Sequence, residues 1–424
     1  MNRVLKYFIV VLVFGLFLTG CSKKEDKKPA KKPENPGVPD VALVNDYNID
    51  LIKLTKRDKN YLISPYSIEI ALNMLKEGAK GETKAQIEEV LKNRKVNDVS
   101  IKNRVKIANA LFIKDSYKKK IKTSFSKNLV DNYMAEVLYD SFKTPDVIND
   151  WVNEKTDGMI KEIMDYIDPD FVLGLANALA IDVEWESPFE CNATTDNEFT
   201  KADGSIMDVE MMHNSYDYSG VYYLKTKDAT GIILPYQDYN KKTGKVDYEN
   251  GSSLEFVGIL PEDDVDSYIS SLTSEKLNKL FDSAKSSSSS YEINLSLPRF
   301  KYAYSVPNFI DILKALGIKD AFSFDDADFT GIMKKEDMKE NLYVSQAIHK
   351  TYIDLNEKGT KAAAVTFFGF KDTAMPFEEE KETVYVKFNK PFVYMIRDTK
   401  TKEILFFGAV YEPNEWKGST CSES

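Results

Sequence analysis

Two apolar rhythms run through residues 41–413, and they are unevenly distributed. Apolar residues returning every three to four positions predict helices at Val41–Lys56, Ser67–Lys76, Lys84–Lys92 and Asp146–Tyr166. Thr83, just ahead of the third of these, is placed as its N-cap. Alternating or continuous apolar runs rich in β-branched and aromatic residues predict strands at Asn177–Trp185, Gly231–Pro235, Leu254–Pro261, Tyr291–Phe300, Val384–Phe388, Phe392–Arg397 and Ile404–Val410. Helices crowd the first part and strands the rest, which predicts an α+β fold and not the alternation of a parallel α/β sheet. The polar stretch Gln237–Ser252 reads as a hairpin loop, and the serine run Ser286–Ser290 as a surface loop. No long polar linker or internal repeat divides this region, so residues 42–413 are expected to form one domain, followed by a polar tail at 414–424.

The first 40 residues follow neither rhythm. Arg3 and Lys6 precede an apolar run from Phe8 to Leu18. That run is too short for a spanning helix, which needs about 20 residues, and it suits a signal-peptide core. Leu18-Thr19-Gly20-Cys21 then resembles a bacterial lipobox, in which the Cys21 sulfur is alkylated by diacylglycerol after cleavage at residue 20. The alternative is an ordinary leader with an accidental cysteine. Ser22–Asp40 holds six lysines and four prolines with almost nothing apolar. Such a segment stays extended and could hold the body roughly 60 Å from a membrane at about 3 Å per residue. The expectation is therefore a signal peptide at 1–20, a lipid-anchored linker at 21–41, and a protein attached to the outer face of the cytoplasmic membrane or to the cell surface.

Composition narrows the function. The chain of 424 residues carries a net charge of −10, which becomes −12 once the two positive charges of the leader are lost. An acidic surface argues against a nucleic-acid partner. With only two histidines, His213 and His349, neither a zinc site nor a histidine-based hydrolase is favoured. No metal or cofactor is expected, and no Cys-x-x-Cys, His-Glu-x-x-His, EF-hand or P-loop pattern occurs. If Cys21 carries lipid, Cys191 and Cys421 remain, and no structural bridge is expected between them.

A set of short motifs, in a fixed order, carries a family resemblance. It begins with Asn60-Tyr61-Leu62-Ile63-Ser64-Pro65-Tyr66-Ser67-Ile68 and continues through Asn109-Ala110-Leu111-Phe112 and Ile148-Asn149-Asp150-Trp151-Val152. Asn177-Ala178-Leu179 leading to Trp185, then Leu297-Pro298-Arg299-Phe300 and Asp328-Phe329-Thr330-Gly331, follow. Glu357-Lys358-Gly359-Thr360, Phe388-Asn389-Lys390-Pro391-Phe392 and Phe407-Gly408-Ala409-Val410 close the set. Together they resemble the serpin family of protease inhibitors. The resemblance implies three β-sheets, eight or nine helices and an exposed reactive-centre loop. It also implies a suicide mechanism against serine or, less commonly, cysteine proteases. The target cuts the loop, is held as an acyl-enzyme, and is trapped as the loop inserts into the central sheet. The implied partner is a target protease, and the expected state is a monomer.

The residues after Glu357 meet the chemical demands of such an insertion. Gly359 offers a permissive pivot. Strand alternation then puts Thr360, Ala362 and Ala364 on one small, uncharged face, with Lys361 and Ala363 on the other. No proline interrupts Glu357–Met375, as a central strand requires. The hinge is thus Glu357, Gly359, Thr360, Ala362, Ala363 and Ala364. The family's usual arm of 17 residues from the hinge Glu places the reactive bond at Thr373–Ala374. Cuts after Asp372 or Ala374 are the alternatives. The acidic residues Glu378–Glu380 and Glu382 read as a solvated stalk or as an exosite.

By resemblance, Ser64, Ser67, Asn177 and His349 form a polar shutter under the central sheet, and Trp185, beside Glu184, marks the breach where the loop enters. Two other readings stay open. One is a non-inhibitory serpin acting as a binding or chaperone-like module. The other is a surface hydrolase using Ser64 or Ser67 with His349, against which no Gly-x-Ser-x-Gly elbow is present.

Overall fold

The computed structural model describes residues 46–55, 59–92, 105–218, 220–237, 253–288, 290–338, 341–360 and 382–413. Cys21, Ala362, Ala363, Ala364, Thr373 and Ala374 lie outside the described residues, as do the leader, the linker, the tail and the arm beyond Thr360.

Eight α-helices occur among the described residues: α1 (Asp46–Leu54), α2 (Pro65–Gly78), α3 (Gly81–Leu91), α4 (Thr123–Tyr133), α5 (Asp146–Lys155), α6 (Val265–Ser270), α7 (Ser274–Asp282) and α8 (Phe309–Leu316). Ser64 caps α2: its hydroxyl accepts from the Ser67 N–H, and Pro65 follows at the first helical position. Helix α3 begins at Gly81, earlier than its spacing predicts, so Thr83 does not cap it. Thr83 is buried, and its hydroxyl accepts the Asp328 N–H at 2.9 Å. Helix α5 stops well short of Tyr166. Asp157 and Gly158 take left-handed backbone angles, and the Gly158 N–H closes on the Asn153 carbonyl at 2.8 Å, a Schellman-type stop.

The largest sheet has seven strands, in the order β1 (Tyr61–Ile63), β18 (Ile404–Val410), β17 (Phe392–Asp398), β10 (Leu254–Pro261), β9 (Ala229–Pro235), β8 (Tyr222–Lys225) and β11 (Lys285–Ser286). Every residue of β17 and β18 is buried, as the apolar runs Phe392–Ile396 and Ile404–Val410 require of strands covered on both faces; β17 ends in the buried Arg397, paired with Glu255, and Asp398. A second sheet orders β16 (Glu382–Lys387), β12 (Tyr291–Pro298), β7 (Ile206–Tyr216) and β6 (Thr195–Thr200). The serine run is less exposed than its composition suggests. Ser286 belongs to β11, and Ser287 is fully buried, with its hydroxyl on the Tyr218 and Val221 carbonyls.

The remaining strands form the central sheet in two pieces. One orders β3 (Glu136–Asp140), β2 (Val105–Lys114) and β4 (Leu173–Ile181); the other orders β13 (Phe300–Ser305), β14 (Lys350–Asn356), β15 (Gly359–Thr360) and β5 (Val183–Glu184). The predicted strand Asn177–Trp185 is thus split at Asp182 between the two pieces. Among the described residues β4 and β14 share no ladder: β4 pairs only with β2, and β14 pairs with β13 and β15. A cleft of about 560 Å³ opens between β4 and residues 341–349. Its lining includes Ile68, Leu72 and Leu75 of α2 and Phe112 of β2.

Candidate functional site

The two pieces of the central sheet meet at one end, around β15. Gly359 and Thr360 pair with Asn356 and Leu355 of β14 on one side and with Glu184 and Val183 of β5 on the other. The approach is close. A Cβ on Gly359 would lie 2.1 Å from the Val183 carbonyl oxygen and 2.7 Å from the Glu184 Cα, both backbone atoms, so only glycine fits. Thr360 is 4% exposed, and its hydroxyl lies 2.8 Å from that of Tyr236. The sequence places Thr360 on a face to be buried when the arm inserts; in the uncut protein that burial has already occurred.

Trp185 and its neighbours hold the chain entering the hinge. The indole N–H donates to the Asn356 carbonyl at 2.9 Å. The Trp185 backbone N–H donates to Lys358 at 2.8 Å, and that of Phe189 to Glu357 at 2.9 Å. The Trp185 ring is buried, stacks on Tyr236 with centroids 4.5 Å apart, and meets Phe256 edge-on at 5.7 Å. Trp185, which the resemblance casts as the breach residue, has its N–H satisfied as a buried aromatic's should be. The Glu357 carboxylate is buried beneath this point. It accepts the Thr194 hydroxyl at 2.6 Å and pairs with Arg299 at 3.4 Å, which also pairs with Glu210 at 3.3 Å.

The structure also brings Ser64, Ser67, Asn177 and His349 together. His349 Nε2 accepts the Ser64 backbone N–H at 2.9 Å. The Ser67 hydroxyl donates to the Asn177 Oδ1, and the Asn177 amide donates to the Asn109 Oδ1 at 2.8 Å. Asn109 in turn donates to the Tyr133 carbonyl at 2.7 Å. Ser67, Asn177 and His349 line the cleft. A hydrolase would need a His nitrogen facing a serine hydroxyl. Here the Nε2 is occupied by a backbone N–H, and the Ser67 hydroxyl is committed to an amide oxygen.

Burial pushes the His349 imidazole down to about 4 from its ordinary 6.5. A nitrogen that accepts an N–H bond is necessarily unprotonated, so geometry and burial agree. The folded state keeps the ring neutral, while the unfolded chain takes up a proton below about pH 6.5. Stability from this group is therefore complete above about pH 6.5 and is lost as the pH falls towards about 4. The full loss is about 3 kcal/mol. Denaturant midpoints of the parent should fall across this window more steeply than those of His349→Gln, and equal slopes would refute the assignment.

Three contributors were not identified from the sequence. Asn109 faces Asn177 directly across the β2–β4 ladder, and its signal was a polar residue within the apolar strand Val105–Lys114. Tyr236 sits just beyond Pro235, between the predicted strand Gly231–Pro235 and the predicted loop Gln237–Ser252, and was assigned to neither. Arg299 stood inside a motif without a role. His213, given no role from sequence, is half-buried on β7, with Nδ1 2.9 Å from the Ser296 hydroxyl. Cys191 is disulfide-bonded, contrary to the expectation of no structural bridge, and its partner lies outside the described residues.

Fold and site together define a protein in which β4 and β14 share no ladder among the described residues and Gly359–Thr360 is seated between β14 and β5. The sequence matches the serpin (serine protease inhibitor) family over residues 43–413. It is 30% identical to human neuroserpin over 87% of this chain and 90% of that protein. It is also 30% identical to the leukocyte elastase inhibitor of Bos taurus, over 84% and 93% of the two chains. The fold is similar to the crystal structure of the thermophilic serpin tengpin in its native state, with a TM-score of 0.72 and 32% identity, covering 87% of this chain and 92% of that one. The chain belongs to the serpin family, whose members are generally protease inhibitors rather than enzymes.

Proposed function

We propose that this chain is a suicide inhibitor of serine proteases, held at the cell envelope by lipid on Cys21. The observation that carries the inhibitory reading is the seating of Gly359–Thr360 between β14 and β5, in a sheet whose β4 and β14 share no ladder among the described residues. A strand entering there meets one unpaired backbone edge on β4 and follows a hinge already in register. A protease acylated at the loop would be carried with the arm, and its active site distorted before water could release it. At about 3.3 Å per residue, an inserted arm from Gly359 to Thr373 would span about 50 Å. Thr373 or Ala374 at the cut suits a protease with a small apolar specificity pocket, of elastase-like or subtilisin-like type, and similarity to a leukocyte elastase inhibitor points the same way.

The test is incubation with elastase-like, subtilisin-like and trypsin-like proteases, followed by denaturing electrophoresis and mass spectrometry of the released fragment. The expected result is a complex that survives boiling in detergent, with a fragment beginning at Ala374. A protease that cuts the loop and leaves fully active would overturn the reading in favour of a non-inhibitory module. Anchoring is read separately: mass spectrometry of the mature N-terminus in the native host should find acylated Cys21, and an unmodified cysteine there would remove that part.

A further inference from the structure

Tyr236 lies beyond the end of β9 and forms an isolated bridge with Trp185. Its ring is stacked on Trp185 with an interplanar angle of 8°, and only 1% of the residue is exposed. Its hydroxyl and that of Thr360, 2.8 Å apart, are each other's only side-chain hydrogen-bond partners among the described residues. Burial raises the Tyr236 phenol, which stays protonated and able to donate throughout the biological pH range. If Thr360 left its place, the Tyr236 hydroxyl would remain buried without its side-chain partner, which is costly.

We propose that Tyr236 is a positioning residue that keeps Thr360 seated in the central sheet before the loop is cut, and so sets the fraction of encounters that end in trapping. The inference rests on the strand-insertion reading above. Insertion that runs inward from the hinge must form its first rung before any other. With Thr360 held, that rung exists when the acyl-enzyme forms, and the arm's race against deacylation starts one step ahead. Gly359 makes the seat possible and the Tyr236 hydroxyl keeps it filled.

The experiment uses the full chain and three variants: Tyr236→Phe, Thr360→Val and the double substitution. Amide exchange of residues 356–360 in the uncut protein reads the seat, and moles of inhibitor consumed per mole of protease read the trap. Tyr236→Phe should speed hinge exchange about tenfold and raise inhibitor consumption severalfold. The double variant removes both hydroxyls and leaves no orphan, so both readouts should return towards the parent. Parental exchange in Tyr236→Phe, or a double variant no better than the worse single, overturns the proposal. So does a lowered melting temperature with both readouts unmoved, which would make Tyr236 merely structural. A parent that traps no protease overturns the inhibitory reading and the link to trapping, while the exchange rates still decide whether Tyr236 holds Thr360.

Discussion

Thr360→Arg should turn the inhibitor into a substrate. Thr360 is buried between Val183 and Leu355 with its hydroxyl on Tyr236, and among the described residues its side chain has no hydrogen bond to a carboxylate. An arginine there must bury an unpaired charge or leave the sheet. Burial without a partner costs about 3–5 kcal/mol, more than two powers of ten in the seating equilibrium. The hinge leaves, the first rung is lost, and deacylation overtakes insertion. Titration against an active protease should show the variant consumed as cleaved product with the protease still active. The cut should fall at the same bond, which separates failed insertion from failed recognition. If the variant titrates as well as the parent, insertion through this site is wrong.

Cutting the loop should raise the melting temperature of the protein by about 10 °C or more. Among the described residues of the uncut structure, β4 pairs only with β2, and below β15 the other side of β14 has no ladder. Each residue of an arm inserted between them forms about two ladder bonds, each worth about 1 kcal/mol net. Its inward side chains also fill a cleft lined by Leu72, Phe112, Phe309 and Leu313. These gains oppose about 1–2 kcal/mol of ordering per residue. A surplus of about 8 kcal/mol moves the midpoint by roughly 10 °C for a domain of this size. Calorimetry before and after limited proteolysis measures it directly. Unchanged melting would mean that the arm stays out and that no energy is stored in the parted sheet.

The requirements of the proposed hinge could be read in advance because they are local. Small uncharged residues at alternate positions, a glycine at the pivot and a missing proline are properties of one short segment. What the segment does before cleavage was not legible. That Thr360 is already seated depends on Tyr236, Val183 and Leu355, and the Tyr236–Thr360 contact spans 124 positions of sequence. The polar cluster divides in the same way. Ser64, Ser67, Asn177 and His349 were named through ordered motifs, but Asn109 entered only through the register that sets it opposite Asn177. Helix α5 was drawn too long because periodicity continues past Lys155, while the chain turns at Asp157 and Gly158.

The sequence by itself determined the α+β class, the family and the small-residue character of the hinge. It did so because apolar period, turn chemistry and short ordered motifs are each written within a few neighbouring residues. Only the tertiary structure decided that the central sheet is parted between β4 and β14, that the hinge is seated, and which buried groups pair across it. Periodicity reports that a side chain faces inward; the partner it meets there is set by the packing of segments more than a hundred residues apart.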